Sequence, residues 1–276
     1  MNTVQVKFIL DDELISKTPN SLLNRSADNE NLQQMKEWLN MFGSVHYSTG
    51  YSESELQQIE EMLGLKIPPT LRMVYAYTGK DNNLLTPGKL KNTNYKILKP
   101  DELLVEKNVI VHDSYSGEAW YETDVLVYMV THNGKQAYNG IDMKRDWQLS
   151  FYKQWYWQKD SMPLYKELLV TLVCTAISRM QNIFKTKVKE VTGWEIYKRA
   201  EKKFEGYFER FSDFEHYDHT LFYNQQRKAL GWFRAGSAIP DLLVGCDDKT
   251  FIDEFIAKMN MSKAKHHRID GVVTKK

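Results

Sequence analysis

The sequence predicts an α+β fold, with a mainly antiparallel sheet packed against helices and an α/β C-terminal extension. Three observations carry this. Residues 52–79 read as a helix, a sharp corner and a second helix. Asn133-Gly134 stands between two strand-like runs, where a tight type I′ hairpin turn demands that dipeptide chemistry. Residues from Met162 to about Phe184 are apolar nearly all round at helical spacing, the pattern of a helix buried between a sheet and its neighbours.

Each element follows in chain order. Val4, Val6, Phe8 and Leu10 alternate with polar residues, which predicts an opening strand. Residues 16–31 are polar and read as a loop. Leu32, Met35, Leu39 and Phe42 recur at helical spacing, closed by Gly43. Ser52 and Glu55 have the spacing of a capping box, in which each residue satisfies an orphan N–H of the other. Leu56, Ile59 and Leu63 continue that helix, and Gly64 suits a left-handed end. Ile67 is biased to extended backbone by the proline after it. Pro68 and Pro69 fit the start of the next helix, where first-turn N–H groups have no partner anyway. Leu71, Val74, Tyr75 and Thr78 share a face of that helix, and Gly79 ends it. Residues 80–94 have the composition of an exposed loop. Beyond them the period changes: strands are expected at Tyr95–Ile97, Val109–His112 and from residues 117–121, with one helical turn at Asp101–Glu106. Leu149–Tyr152 adds a strand after the hairpin.

The last third differs. Residues 187–211 predict a charged helix carrying aromatics, Leu242–Cys246 a buried strand, and Asp248 or Thr250 the cap of a closing amphipathic helix. The tail from Lys263 is basic and reads as mobile. Two domains are expected: residues 1–184, with an N-terminal strand and helix, and residues 185–276, an extension packed on the same domain.

Composition excludes several function classes. The chain of 276 residues carries a formal charge of +1. Before residue 183 stand 19 basic and 22 acidic residues, and after it 18 basic and 14 acidic. Neither part has the charge of a nucleic-acid-binding surface. The longest apolar stretch, Leu168–Ile177, falls far short of the roughly 20 residues of a membrane helix. No basic segment followed by an apolar one opens the chain, so no secretory signal and a cytoplasmic location are expected. Cys174 and Cys246 lie in apolar runs and read as small buried hydrophobes. His216 and His219 are three apart and could share a helix face as metal ligands. A third ligand at motif spacing is missing, so a surface turn is the expectation and no metal or cofactor is assigned. His266-His267 reads as solvated. Gly231 to Gly236 lacks the strand–GxGxxG–helix context of a nucleotide loop.

Two aromatic stretches are candidates for contact with a partner protein. The first is acidic: Asp113, Tyr115, Glu118, Trp120, Tyr121 and Glu122, with Asp124 beyond. The second is Trp155-Tyr156-Trp157. Alternate side chains of an extended segment point to opposite faces. Either Trp155 and Trp157 are core and Tyr156 is outside, or the reverse. Trp and Tyr dominate binding hot spots, and the carboxylates would steer a basic partner. The competing reading is that the aromatics are core and the carboxylates merely solvated.

The order of these features from Ser52 to about Phe184 resembles the SUKH superfamily, which groups bacterial toxin-immunity proteins with a fungal cell-wall-synthesis regulator. The stretch ELQQIEEMLGLKIPPTLRMVYAYTGKDN is similar to that family's opening helix, apolar-x-Pro corner and second helix. ILKPDEL resembles its strand and short helix, VLVYMVTHNGKQAYNGIDM its central hairpin, and MPLYKELLVTLVCTAI its long closing helix. The resemblance implies a non-enzymatic α+β binding protein, and in bacteria a cytosolic immunity protein that neutralises a cognate toxin by direct contact. It brings no catalytic residue. Two other readings stand beside it: a regulatory scaffold of the same fold, and a metal-assisted enzyme using His216 and His219.

Overall fold

A computed structural model describes residues 29–81, 95–113, 119–131, 137–144, 148–152, 156–159, 163–187, 206–211, 214, 219–234, 241–258, 266–269 and 272–275. These residues form an α+β fold with five helices and two mostly antiparallel sheets. The chain divides into two compact units. Of the described residues, the first takes those up to Asn40, from Ser48 to Asp81 and from Tyr95 to Leu169, and the second takes Met41–Tyr47 and those from Val170 on. The expected opening strand and most of the 80–94 loop lie outside the described residues. Residue 184, the expected domain boundary, falls within strand β7 (Asn182–Lys187).

Helix α1 (Asn29–Val45) buries Leu32, Met35, Trp38, Leu39 and Phe42. It runs through Gly43 rather than ending there, because Ser44 and Val45 keep the turn with Ser44 Oγ donating to Met41 O at 2.7 Å. Helix α2 (Glu53–Leu63) has the expected reciprocal cap: Glu55 N–H donates to Ser52 Oγ and Ser52 N–H to Glu55 Oε2. Gly64 closes it at φ 64°, a left-handed backbone that favours glycine. Helix α3 (Pro69–Thr78) begins on the second proline, as expected, and is buried on nearly every side. Tyr75, wholly buried, donates its hydroxyl to Leu98 O at 2.7 Å, and burial pushes its phenol well above the ordinary range.

The first sheet contains β1 (Tyr95–Ile97), β2 (Leu104–Asp113), β3 (Ala119–Thr131), β4 (Ala137–Asp142), β5 (Gln148–Tyr152) and β6 (Trp157–Lys159). Between β1 and β2, Pro100–Glu102 make a short 3-10 turn. The turn expected at Asp101–Glu106 stops there, because Leu104–Glu106 pair with Val125–Val127 of β3 instead. β3 and β4 are antiparallel, with Met129 opposite Asn139 and Val130 opposite Tyr138. The Asn133-Gly134 turn between them lies outside the described residues. β3 also pairs with β1 and β2, and β4 with β5, β5 with β6, and β6 in parallel with β2. The ring β3–β4–β5–β6–β2–β3 is therefore closed, a small barrel that removes most of its own sheet edges.

Trp157 fills this barrel. Its ring reaches from β6 across to β3 and β4. A Cβ on Gly140 would lie 2.3 Å from Val125 Cγ1 and 3.0 Å from the Trp157 ring. Only glycine leaves room for the indole there.

Helix α4 (Leu164–Ile177) is buried nearly all round, as its apolar pattern predicts. It ends seven residues before Phe184. Ser178 Oγ donates to Thr175 O at 2.7 Å, and Gln181 N–H donates to Asp247 Oδ1 at 2.8 Å. Phe184 then serves in β7, opposite Val244.

The second sheet has the order β12-β13-β7-β11-β10-β9-β8, where β8 is Glu209–Arg210, β9 His219–Asn224, β10 Ala229–Arg234, β11 Asp241–Cys246, β12 His266–Ile269 and β13 Val272–Lys275. Phe184, Phe222, Phe233, Leu242 and Val244 bury themselves against Phe251, Ile252 and Phe255 of helix α5 (Lys249–Lys258). Asp248 begins that helix, its Oδ1 accepting Thr250 N–H at 2.9 Å. Two expectations are corrected here. The charged helix over 187–211 does not extend through 206–211, which turns and enters β8 because Arg210 pairs with Phe222. The basic tail is not wholly mobile, because β12 pairs with β13, and β13 runs parallel to β7.

Candidate partner-binding face

The register of β2 on β3 sorts the candidate residues onto two faces. Ile110 stands opposite Glu122, Val111 opposite Tyr121, His112 opposite Trp120, and Asp113 opposite Ala119. β6 adds Trp157 beside Val111 and Gln158 beside His112. Directly opposite residues share a face, and successive residues alternate. Val111, Asp113, Tyr121, Thr123 and Trp157 thus belong to the inner face, and Ile110, His112, Trp120 and Glu122 to the outer one.

On the inner face two candidates turn out to be interior residues. Asp113 is 1% exposed and pairs with Lys159 Nζ at 3.5 Å. A buried carboxylate needs such a partner. Trp157 is 2% exposed and donates its indole N–H to Glu106 Oε2 at 3.1 Å. Tyr121 is half-buried on the same side. A second carboxylate, Asp142, is wholly buried, accepting from Thr123 Oγ1 at 2.8 Å and from Lys144 N–H at 2.9 Å. Asp113, Asp142 and Trp157 brace the barrel from within.

The outer face is different. Trp120 is 56% exposed. Its ring lies 4.5 Å from that of His112, tilted by 31°, and 4.7 Å from that of Tyr156, nearly edge-on. His112 and Tyr156 complete the triangle at 5.7 Å. Of the two readings of the Trp155–Trp157 run, the structure therefore puts Tyr156 outside and Trp157 inside. Glu122 and Ile110 are exposed beside this cluster. Tyr115, Glu118 and Trp155 lie outside the described residues.

The three rings touch one another, so no gap remains between them for a cation. The cluster is a solid aromatic knob, suited to packing against another protein, and not a cage for a quaternary ammonium group. His112 and Ile110 were not among the sequence candidates. Their signal was the period-2 pattern Ile110-x-His112 facing Trp120-x-Glu122, which becomes legible only once the register is known.

Elsewhere, His219 Nδ1 accepts the Trp232 indole N–H at 3.0 Å, while His216 lies outside the described residues. Of the two cysteines expected to be buried, Cys246 is buried and Cys174 half-buried, and burial pushes the Cys246 thiol up. Among the described residues, no three His, Cys, Asp or Glu side chains are grouped to hold a metal ion, and no helix is long and apolar enough to cross a membrane. No family model matches the chain, and no curated protein matches it.

Proposed function

We propose that this chain is a non-catalytic binding protein that neutralises a cognate bacterial toxin in the cytosol by direct contact, through the outer face of the β2–β3 ribbon. The observation that carries the reading is the exposed Trp120 packed on the half-buried rings of His112 and Tyr156. A large aromatic left in water on a rigid sheet costs hydration free energy that a partner recovers on binding. The order of sequence features that resembles the SUKH superfamily supports the toxin-neutralising role, and Glu122 beside the knob suits a basic partner rim.

The test is coexpression with the product of the adjacent gene. That product should arrest growth alone, and the wild-type chain should restore growth and bind it. Trp120→Ala and Tyr156→Ala should each weaken binding by about tenfold or more, the loss expected of a hot-spot ring, while the melting temperature holds. A neighbour that is neither toxic nor bound, or variants that bind and protect like the wild type, would sink the reading.

A further inference from the structure

On the outer face of the β2–β3 ribbon four residues form one cell, with Ile110 opposite Glu122 and His112 opposite Trp120. The ring separations fix which side of Trp120 is open. His112 and Tyr156 lie 4.5 and 4.7 Å from it and 5.7 Å from each other. Seen from Trp120, those two rings therefore stand less than a right angle apart, both to one side of the indole. His112, tilted by only 31°, lies against one indole face, and the 56% of Trp120 left in water belongs to the opposite side. Two residues along β3 on the same face, Glu122 is exposed, and among the described residues no cation pairs with its carboxylate. Ile110, facing it across the ribbon, is 48% exposed.

We propose that this cell seats an arginine side chain of the partner protein, an inference that rests on reading the outer face as a protein-binding surface. The guanidinium lies flat on the open face of Trp120, outside the ring cluster, and donates to the Glu122 carboxylate, while the alkyl stem crosses Ile110. Residues two apart on a strand are about 7 Å apart. A cation held within about 6 Å of the indole centroid is therefore in reach of Glu122. The cell offers apolar, aromatic and anionic surface side by side, and arginine answers all three. Its stem is apolar, its head is planar and stacks on aromatic faces, and its N–H fork fits a carboxylate. Lysine carries a compact, strongly hydrated charge that stacks less well. A purely apolar side chain would cover Glu122 and strip its carboxylate of water without replacing the lost hydrogen bonds.

The probes are three end-blocked tripeptides in which alanines flank arginine, lysine or citrulline, the last keeping the planar head without its charge. Each is titrated into the intact, isotope-labelled chain at constant ionic strength, and the Trp120 indole N–H and the Ile110 and Glu122 amides are followed by NMR. The arginine peptide should shift these signals and bind about threefold more tightly than the lysine peptide, with citrulline weaker still. Glu122→Gln, a near-isosteric change at an exposed position, should weaken arginine binding by about threefold and leave citrulline unchanged. Trp120→Ala should abolish binding of all three. Lysine or citrulline bound as tightly as arginine, shifts confined to other residues, or no shift at all overturns the proposal. If the arginine preference holds while Trp120→Ala leaves toxin binding unchanged, the functional reading falls and the arginine site stands. If Trp120→Ala weakens toxin binding but the peptides show no preference for arginine, the arginine site alone falls.

Discussion

The corner between α2 and α3 and the upper half of the β2–β3 ribbon are both rich in charged and aromatic residues, and they use them in opposite ways. In the corner every such group is engaged. Glu60 is buried and accepts from Lys66 Nζ at 2.9 Å, Arg72 Nη1 at 2.7 Å and Ile67 N–H at 2.9 Å. Arg72, itself nearly buried, also reaches Glu53. Glu60 thus fixes the extended residue before the prolines as well as the helix after them. Behind it, Tyr51 N–H donates to Tyr75 O at 3.0 Å, and Gly50 lies so close that a Cβ would sit 1.7 Å from Ala76 O. On the outer face of the ribbon, Trp120 packs on the half-buried His112 and Tyr156 and leaves more than half of its own surface in water. The corner shows what a stretch looks like when its polar groups serve the fold. The ribbon shows surface that folding leaves unused.

The largest effects should come from breaking the engaged side of this contrast. Glu60→Ala removes the buried acceptor shared by Arg72, Lys66 and Ile67 N–H and leaves Arg72 only the more exposed Glu53, for an expected loss of about 3 kcal/mol. Urea denaturation should show a loss of unfolding free energy of that size, and an unchanged midpoint would make the cluster ornamental. Trp157→Ala empties the barrel and should cost about 3–5 kcal/mol as well. Its neighbour Tyr156→Ala should cost under about 1 kcal/mol. Equal losses at these two adjacent positions would erase the distinction between inner and outer faces.

A smaller effect sharpens the comparison within the corner. Replacing Pro68 and Pro69 together by glycine frees the unfolded chain and loosens the start of α3, for an expected loss of about 1–2 kcal/mol. Toxin binding should survive. Lost binding at an unchanged melting temperature would instead make the corner a contact surface.

The smallest effect concerns acid. Lys80, followed by the backbone and side chain of Ser52, holds the Glu55 carboxyl at about 2, below its ordinary 4.5. A carboxylate whose folded pKa is depressed stabilises the fold fully above its unfolded pKa and loses that contribution as pH falls through the folded one. The stability of the wild type should therefore decline from pH 4.5 towards 2 more steeply than that of Glu55→Gln. Because Glu55 is solvent-exposed, the difference should be small and should shrink with added salt.

The local sequence determined the capping box at Ser52, the left-handed Gly64 and the start of α3 at Pro69. Each of these depends on side-chain and backbone chemistry within a few residues of the chain. It also determined that α4 is buried nearly all round. It did not determine where α4 stops, because Gln181 is held by Asp247, 66 residues further on. Nor could it choose between the two settings of the Trp155–Trp157 run. That choice was made by the pairing of Val111 with Trp157 and by the bare backbone of Gly140, on strands separated by dozens of residues. A strand's side chains alternate with a period of two, so a single step of register exchanges its faces. Sequence alone could name the aromatic residues of the ribbon. Which of them fill a barrel and which stand in water was settled by the register, and register belongs to the tertiary structure.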